Sequence, residues 1–230
     1  MINELLLEDI LKTLLIIIVI STLFLLARKN ILALFRTYAL QSLILACIAF
    51  VLYLQEKQIE LLYTVLLTII SKVVLIPYFL SNTQKKINVK RDVEFHYLKS
   101  ASSVFLSIAI FIIIYAVFAP LLRTLPVTEI FIMGSLIGIS LVFIGFIVCF
   151  SRKRVITKVV GYLTMENGVV LFGIFLIELP FLIEMFVIMD LLMVVMITAI
   201  MSFGMNASVE EFHEHLKSIR YWFKEEEGDQ

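Results

Sequence analysis

The sequence predicts an all-α, polytopic membrane protein with seven transmembrane helices, its N-terminus outside and its C-terminus inside. Composition is the first reason: 61% of the 230 residues are apolar and only 17% are charged. The second is periodicity of length. Apolar windows of about 20 residues, enough to cross roughly 30 Å of hydrocarbon, recur from end to end. Third, polar residues are confined to short connectors and to the C-terminal tail, whereas a soluble domain of this length would show amphipathic stripes and polar loops.

The spans follow in order. The acidic MINELLLEDI, which lacks the basic start of a removable signal peptide, runs straight into a first helix from Ile10 to Arg28. Further spans are expected from Ile31 to Leu54, Ile59 to Leu80, Ala101 to Leu122, Val127 to Phe150, Val155 to Ile177 and Leu179 to Phe203. Loop charge orients them. Arg28 and Lys29 follow the first span, Lys85, Lys86, Lys90, Arg91 and Lys99 the third, and Arg152, Lys153 and Arg154 the fifth, while the opposite connectors carry only Lys57 and Arg123. Positive residues accumulate on the cytoplasmic side, so these three clusters mark the inner face. Cys47 and Cys149 lie inside spans with no CxxC pattern and are read as packing residues, which leaves no disulfide scaffold or iron–sulfur site.

Beyond the last span, Ser208 and Glu211 form a capping box, and Val209, Phe212, Leu216, Ile219 and Phe223 recur at helical spacing. This short amphipathic helix either docks a cytoplasmic partner or lies on the inner leaflet. His213 and His215 are two residues apart, about 200° around a helix, and so do not form a metal pair.

Charges inside spans are the most informative residues. Each costs roughly 2.5 to 3.5 kcal/mol at mid-membrane even on a lenient scale, so such groups face a bundle interior, a water file or a partner. Lys72, Glu166, Glu184 and Asp190 are the four. Glu166 and Asp190 share a depth near the bilayer centre on sequential antiparallel helices, and are expected to share a proton or a cation. Lys158, Tyr162 and Glu166, spaced by four, draw a polar stripe from the inner surface to the centre; Asp190, Thr198, Ser202 and Asn206 draw another. Glu184 lies about 120° from Asp190 around its helix and addresses a different neighbour. Lys72 is either a functional charge or a residue that snorkels to the inner surface, as the shallower Arg36 does. Glu166 and Asp190 are alternatively protonated carboxyls acting as interhelical glue.

An internal echo at an offset of 124 residues superposes Arg28, Lys29 and Tyr38 on Arg152, Lys153 and Tyr162, with Ser42 where the second copy has Glu166. Parallel repeats of this kind are common in transport proteins. The expected organisation is a three-helix unit (1–100), a linking helix (101–126), a second three-helix unit (127–206) and the inner tail (207–230).

The segments GYLTMENGVVLFGI, ELPFLIEMFVIMDLLM and YALQSLILA resemble the membrane E component of hydrogenase 4 and of related membrane-bound hydrogenases and formate hydrogenlyases. The last three helices of that family resemble the K subunit of respiratory complex I and the C subunit of multisubunit sodium/proton antiporters. The resemblance implies a cofactor-free ion-translocating subunit in the cytoplasmic membrane. Its partners would be antiporter-like membrane subunits and a soluble hydrogenase-type redox module, with no nucleic acid. The implied pathway residues are Glu166, Asp190, Glu184, Lys72, Tyr162, Lys158 and Asn167. Aligned on Gly161 and Asn167, the K-subunit acid would fall at Leu163, so Glu166 inherits the role one turn away from the family position. No nucleotide loop, metal cluster or nucleophilic triad offers an active site of its own. Two other classes stand beside this reading, a stand-alone secondary transporter and a structural subunit of a multisubunit antiporter.

Overall fold

In a computed structural model of the chain, residues 2–28, 30–87, 100–152 and 155–176 are described, together with Met189, Leu192 and Met196. Among these residues the regular structure is helical, and six helical rods are long and apolar enough to cross a membrane. They are α1 (Ile2–Ala27), α2 (Ile31–Glu56), a composite rod, α5 (Ser100–Leu122), α6 (Glu129–Ser151) and α7 (Val155–Leu176). The composite rod consists of α3 (Ile59–Leu67), a π-helical stretch (Thr68–Leu75) and α4 (Ile76–Ile87). The expected seventh span lies outside the described residues apart from Met189, Leu192 and Met196, each helical. Glu184, Asp190 and the tail helix lie outside them entirely.

Two boundaries differ from expectation for local reasons. Helix α1 begins eight residues before Ile10, because the charges of its first turns face outward and pair with one another: Lys12 Nζ lies 3.8 Å from Glu8 and 3.7 Å from Asp9. The third rod continues past Leu80 to Ile87 but changes its hydrogen-bond register on the way. Pro77 has no N–H to donate to the carbonyl four residues back, and its ring crowds that carbonyl. The wider turn that precedes it accommodates both, with the Ile76 amide bonding to the Ser71 carbonyl, five residues back. Cys47 also departs from the packing role expected of it, being exposed on the outer side of α2.

Helix α2 sits at the centre, packed against α1, the composite rod and α7, while α6 and α7 form the most intimate pair. That pair is built on glycine. A Cβ added at Gly161 would lie 2.6 Å from the Cys149 amide nitrogen, one at Gly145 2.6 Å from the Met165 nitrogen, and one at Gly168 2.6 Å from the Val142 nitrogen. Backbone therefore meets backbone along the α6–α7 seam, which suits a solvent where close van der Waals contact, rather than apolar burial, drives helix association.

One end of the bundle is tied by a contact between residues more than 120 apart in sequence. Arg152, just after α6, is buried and donates from Nη2 to the carbonyl oxygens of Leu25 (3.3 Å) and Leu26 (3.1 Å) in the last turn of α1. A guanidinium thus caps carbonyls at a helix C-terminus, adding to the Arg28 amide that already reaches the Leu25 oxygen at 3.4 Å. The contact also brings the first and third basic clusters of the sequence to the same face through Arg28 and Arg152.

Because the obstruction at Gly161 is backbone while that at Gly134 is the Phe175 ring, which can rotate, alanine should be much less tolerated at Gly161. Thermal unfolding of the detergent-solubilised protein should show a loss of about 1 to 3 kcal/mol for Gly161→Ala and a smaller one for Gly134→Ala.

Candidate functional site

The apolar interior is divided into two clusters stacked along the bundle. One contains Leu15 and Ile18 of α1, Leu45 and Ile48 of α2, Leu61 and Val65 of α3, Leu141 of α6 and Val170 of α7. The other contains Leu25 of α1, Leu34 and Tyr38 of α2, Ile76 of α4, Val148 of α6 and Leu163 of α7. On α1, α2, the composite rod and α7 the stretch between the clusters carries buried polar side chains: Thr22 on α1, Gln41 and Ser42 on α2, Thr68 and Lys72 on the π-helical stretch, Glu166 and Asn167 on α7. The bundle therefore carries a polar layer sealed between two dry ones.

At the heart of that layer, Lys72 Nζ lies 2.8 Å from Glu166 Oε1, with the lysine side chain 2% and the glutamate 0% exposed. Removing two ions from water costs several kcal/mol each, and only a close partner of opposite sign repays it. Each residue is the reason the other is tolerated at this depth. The π-helical stretch contributes because it holds Lys72, and with it the ammonium, on the face turned to α7. Wide helical turns of this type recur at functional positions in helices.

Next to the ion pair runs a chain of neutral hydrogen bonds through three helices. Asn167 Nδ2 donates to Gln41 Oε1 at 3.3 Å and to Ser42 Oγ at 3.0 Å. Gln41 Nε2 donates to Thr22 Oγ1 at 2.7 Å, and the Thr22 hydroxyl donates to the Ile18 carbonyl at 2.8 Å. Asn167 Oδ1 is buried with no hydrogen-bond partner among the described residues, an open acceptor one residue along from the carboxylate. In hydrocarbon such interhelical bonds contribute roughly 0.6 to 2 kcal/mol each, so the chain also fixes how α1, α2 and α7 fit together.

Two stripes lead to the pair. On α7, Lys158 and Tyr162 are half-buried and precede the buried Glu166 at four-residue steps; the Tyr162 hydroxyl donates to Met189 Sδ at 3.3 Å. On the composite rod, Thr64 and Thr68 are buried and precede Lys72 at the same spacing, approaching from the opposite end of the bundle. Of the residues singled out in the sequence, the structure thus brings together Lys72, Glu166 and Asn167 and aligns Lys158 and Tyr162 with them. Asp190 and Glu184 fall outside the described residues. Lys72 is no snorkelling residue, since its ammonium is turned inward to a carboxylate.

Thr22, Gln41, Ser42, Thr64 and Thr68 were not expected at the site. Their signal was available: Gln41 and Ser42 are adjacent polar residues deep in the second span, and Thr64, Thr68 and Lys72 form a four-residue repeat. Among the described residues no group of three or more histidines, cysteines and acids is arranged to hold a metal ion. No protein family, curated protein or solved structure matches the chain. What fold and site define together is a multi-pass helical membrane protein with an ion pair buried at mid-height.

If each charge is tolerated only because of the other, either single neutral variant should be worse than both together. Lys72→Met and Glu166→Gln should each lower stability by about 3 to 5 kcal/mol, and the double variant should regain most of the loss. Thermal unfolding of the four proteins measures the coupling, and additive losses would show that the pair is not the unit.

Proposed function

We propose that the chain is an ion-translocating membrane subunit of an energy-converting hydrogenase-type complex, moving protons, or sodium ions, in response to redox chemistry in soluble partners. The observation that carries this reading is the Lys72–Glu166 pair, sealed in a polar layer where two stripes from opposite ends of the bundle converge. A pair of opposite charges is suited to relaying a proton. Adding a proton to the carboxylate alone would leave an uncompensated ammonium in hydrocarbon, which is strongly unfavourable. Arrival of a proton at Glu166 is therefore tied to departure of one from Lys72. The Lys158–Tyr162 stripe serves the carboxylate and the Thr64–Thr68 stripe serves the ammonium, and the apolar clusters above and below prevent a continuous leak.

The resemblance of GYLTMENGVVLFGI and ELPFLIEMFVIMDLLM to the hydrogenase 4 E component supplies the assignment to a redox-linked complex in the cytoplasmic membrane, oriented with the basic clusters inside. On this reading the antiporter-like membrane subunits and the hydrogenase-type module are the partners, and Asp190 and Glu184 extend the route onto the last span. A structural role is the second reading, favoured by the Asn167–Gln41–Thr22 hydrogen bonds, which tie three helices together.

Affinity purification from native membranes under mild detergent should recover hydrogenase-like and antiporter-like subunits with this chain. In vesicles containing the assembled complex, Glu166→Gln keeps the volume of the side chain and removes its exchangeable proton. It should reduce ion pumping by about tenfold or more while the complex still assembles. Normal pumping by an assembled Glu166→Gln complex would leave the polar layer as interhelical glue.

A further inference from the structure

Away from the polar layer, α1, α5 and α6 enclose a cavity of about 380 Å³ that is open to one side. Its floor is buried and apolar, with Ala119, Ile132 and Leu136, and its rim consists of residues that face outward, among them Ile16, Ile20 and Met133. It extends from Phe111, near the middle of α5, to Arg123 at the end of that helix, twelve residues and roughly 18 Å of rise. That is about the depth of one leaflet, half of a 30 Å hydrocarbon core plus the start of the headgroup region. Among the described residues the only charges in its lining are Arg123 and Glu129, both at the end where α5 turns into α6. Their side chains are 55% and 80% exposed, with Arg123 Nε 3.9 Å from Glu129 Oε1.

We propose that this groove binds one phospholipid with a primary-amine headgroup, an acyl chain lying along α5, the phosphate on Arg123 and the ammonium on Glu129. Shape is the first argument. A volume of about 380 Å³ drawn out over roughly 18 Å has a mean cross-section of roughly 20 Å², the girth of a single hydrocarbon chain. Polarity is the second. An apolar slot one leaflet deep, ending in charged groups at the interface, has the profile of an amphiphile and not of a partner's side chains alone. Charge is the third: a cation and an anion side by side complement a zwitterion of phosphate and ammonium better than a purely anionic headgroup, which Glu129 repels. The exposed, loosely paired guanidinium gives up little to change partners.

The test is native mass spectrometry of the purified protein, with whatever subunits accompany it, after exchange into phosphatidylethanolamine, phosphatidylglycerol, phosphatidylcholine or a prenylated quinone. One phosphatidylethanolamine should be retained in preference to the other three. Arg123→Gln, which removes the phosphate partner, and Met133→Trp, which fills the slot from its exposed rim, should each lower its occupancy at least fivefold; Ile20→Trp replaces Met133→Trp if that variant fails to fold. Glu129→Gln should abolish the preference over phosphatidylglycerol. A photo-crosslinking residue at Met133 should capture lipid. Unchanged retention in Arg123→Gln and in a folded tryptophan variant would overturn the proposal. So would a preference for phosphatidylglycerol, phosphatidylcholine or the quinone in the parent protein, or capture of a partner subunit by the crosslinker. None of these readouts depends on ion pumping, so the groove and the polar layer are judged separately.

Discussion

Everything in this bundle is arranged around two opposite charges that hydrocarbon will not solvate. Lys72 and Glu166 neutralise one another at 2.8 Å, and the helices that bear them must hold their side chains in register for that to continue. The constraint spreads outward. Each helix that borders the pair spends its neighbouring positions on Thr, Ser, Gln or Asn, and returns to Leu, Ile and Val a turn or two away on either side. Polar side chains near a buried charge screen it, while the apolar layers keep water from dissolving the pair.

Two backbone devices make the geometry attainable. The glycine seam draws α7 against α6 until their main chains touch, fixing the depth and rotation of α7 and so the place of Glu166. On the other side of the pair, Pro77 breaks the α-helical ladder and the wide turn before it sets where Lys72 points. A rigid partner thus meets one carried on a stretch whose hydrogen bonding is already irregular. The acid is anchored, and the base sits where the helix can change register at least cost.

Sequence reasoning found the membrane class, the order of the six described spans and most of their ends, because apolar length and loop charge are local properties. It also found Glu166 and Lys72 as misplaced charges. It did not join them: one sits on the third span and the other on the sixth, and hydropathy contains no information about which spans are neighbours. Asp190, expected at a similar depth on the next span, is the partner that sequence offers instead. Depth was the overlooked clue, since counting along the helices places Lys72 and Glu166 at comparable heights. Gln41 and Thr22 were passed over for another reason. Neutral polar residues are common enough in membrane helices that only an observed hydrogen bond, such as Gln41 to Thr22, separates a network from background.

The capping of α1 by Arg152 bears on how the protein is made. The last turn of the first helix leaves the ribosome 126 residues before the guanidinium that satisfies it. At about 5 to 20 residues per second, that interval is roughly 6 to 25 s. Throughout it, the Leu25 carbonyl has the Arg28 amide, 3.4 Å away, while the Leu26 carbonyl lacks the guanidinium that later caps it. The cap on α1 is therefore completed only after the fifth span has been made, which joins the first helix of the chain to a residue that follows four later ones.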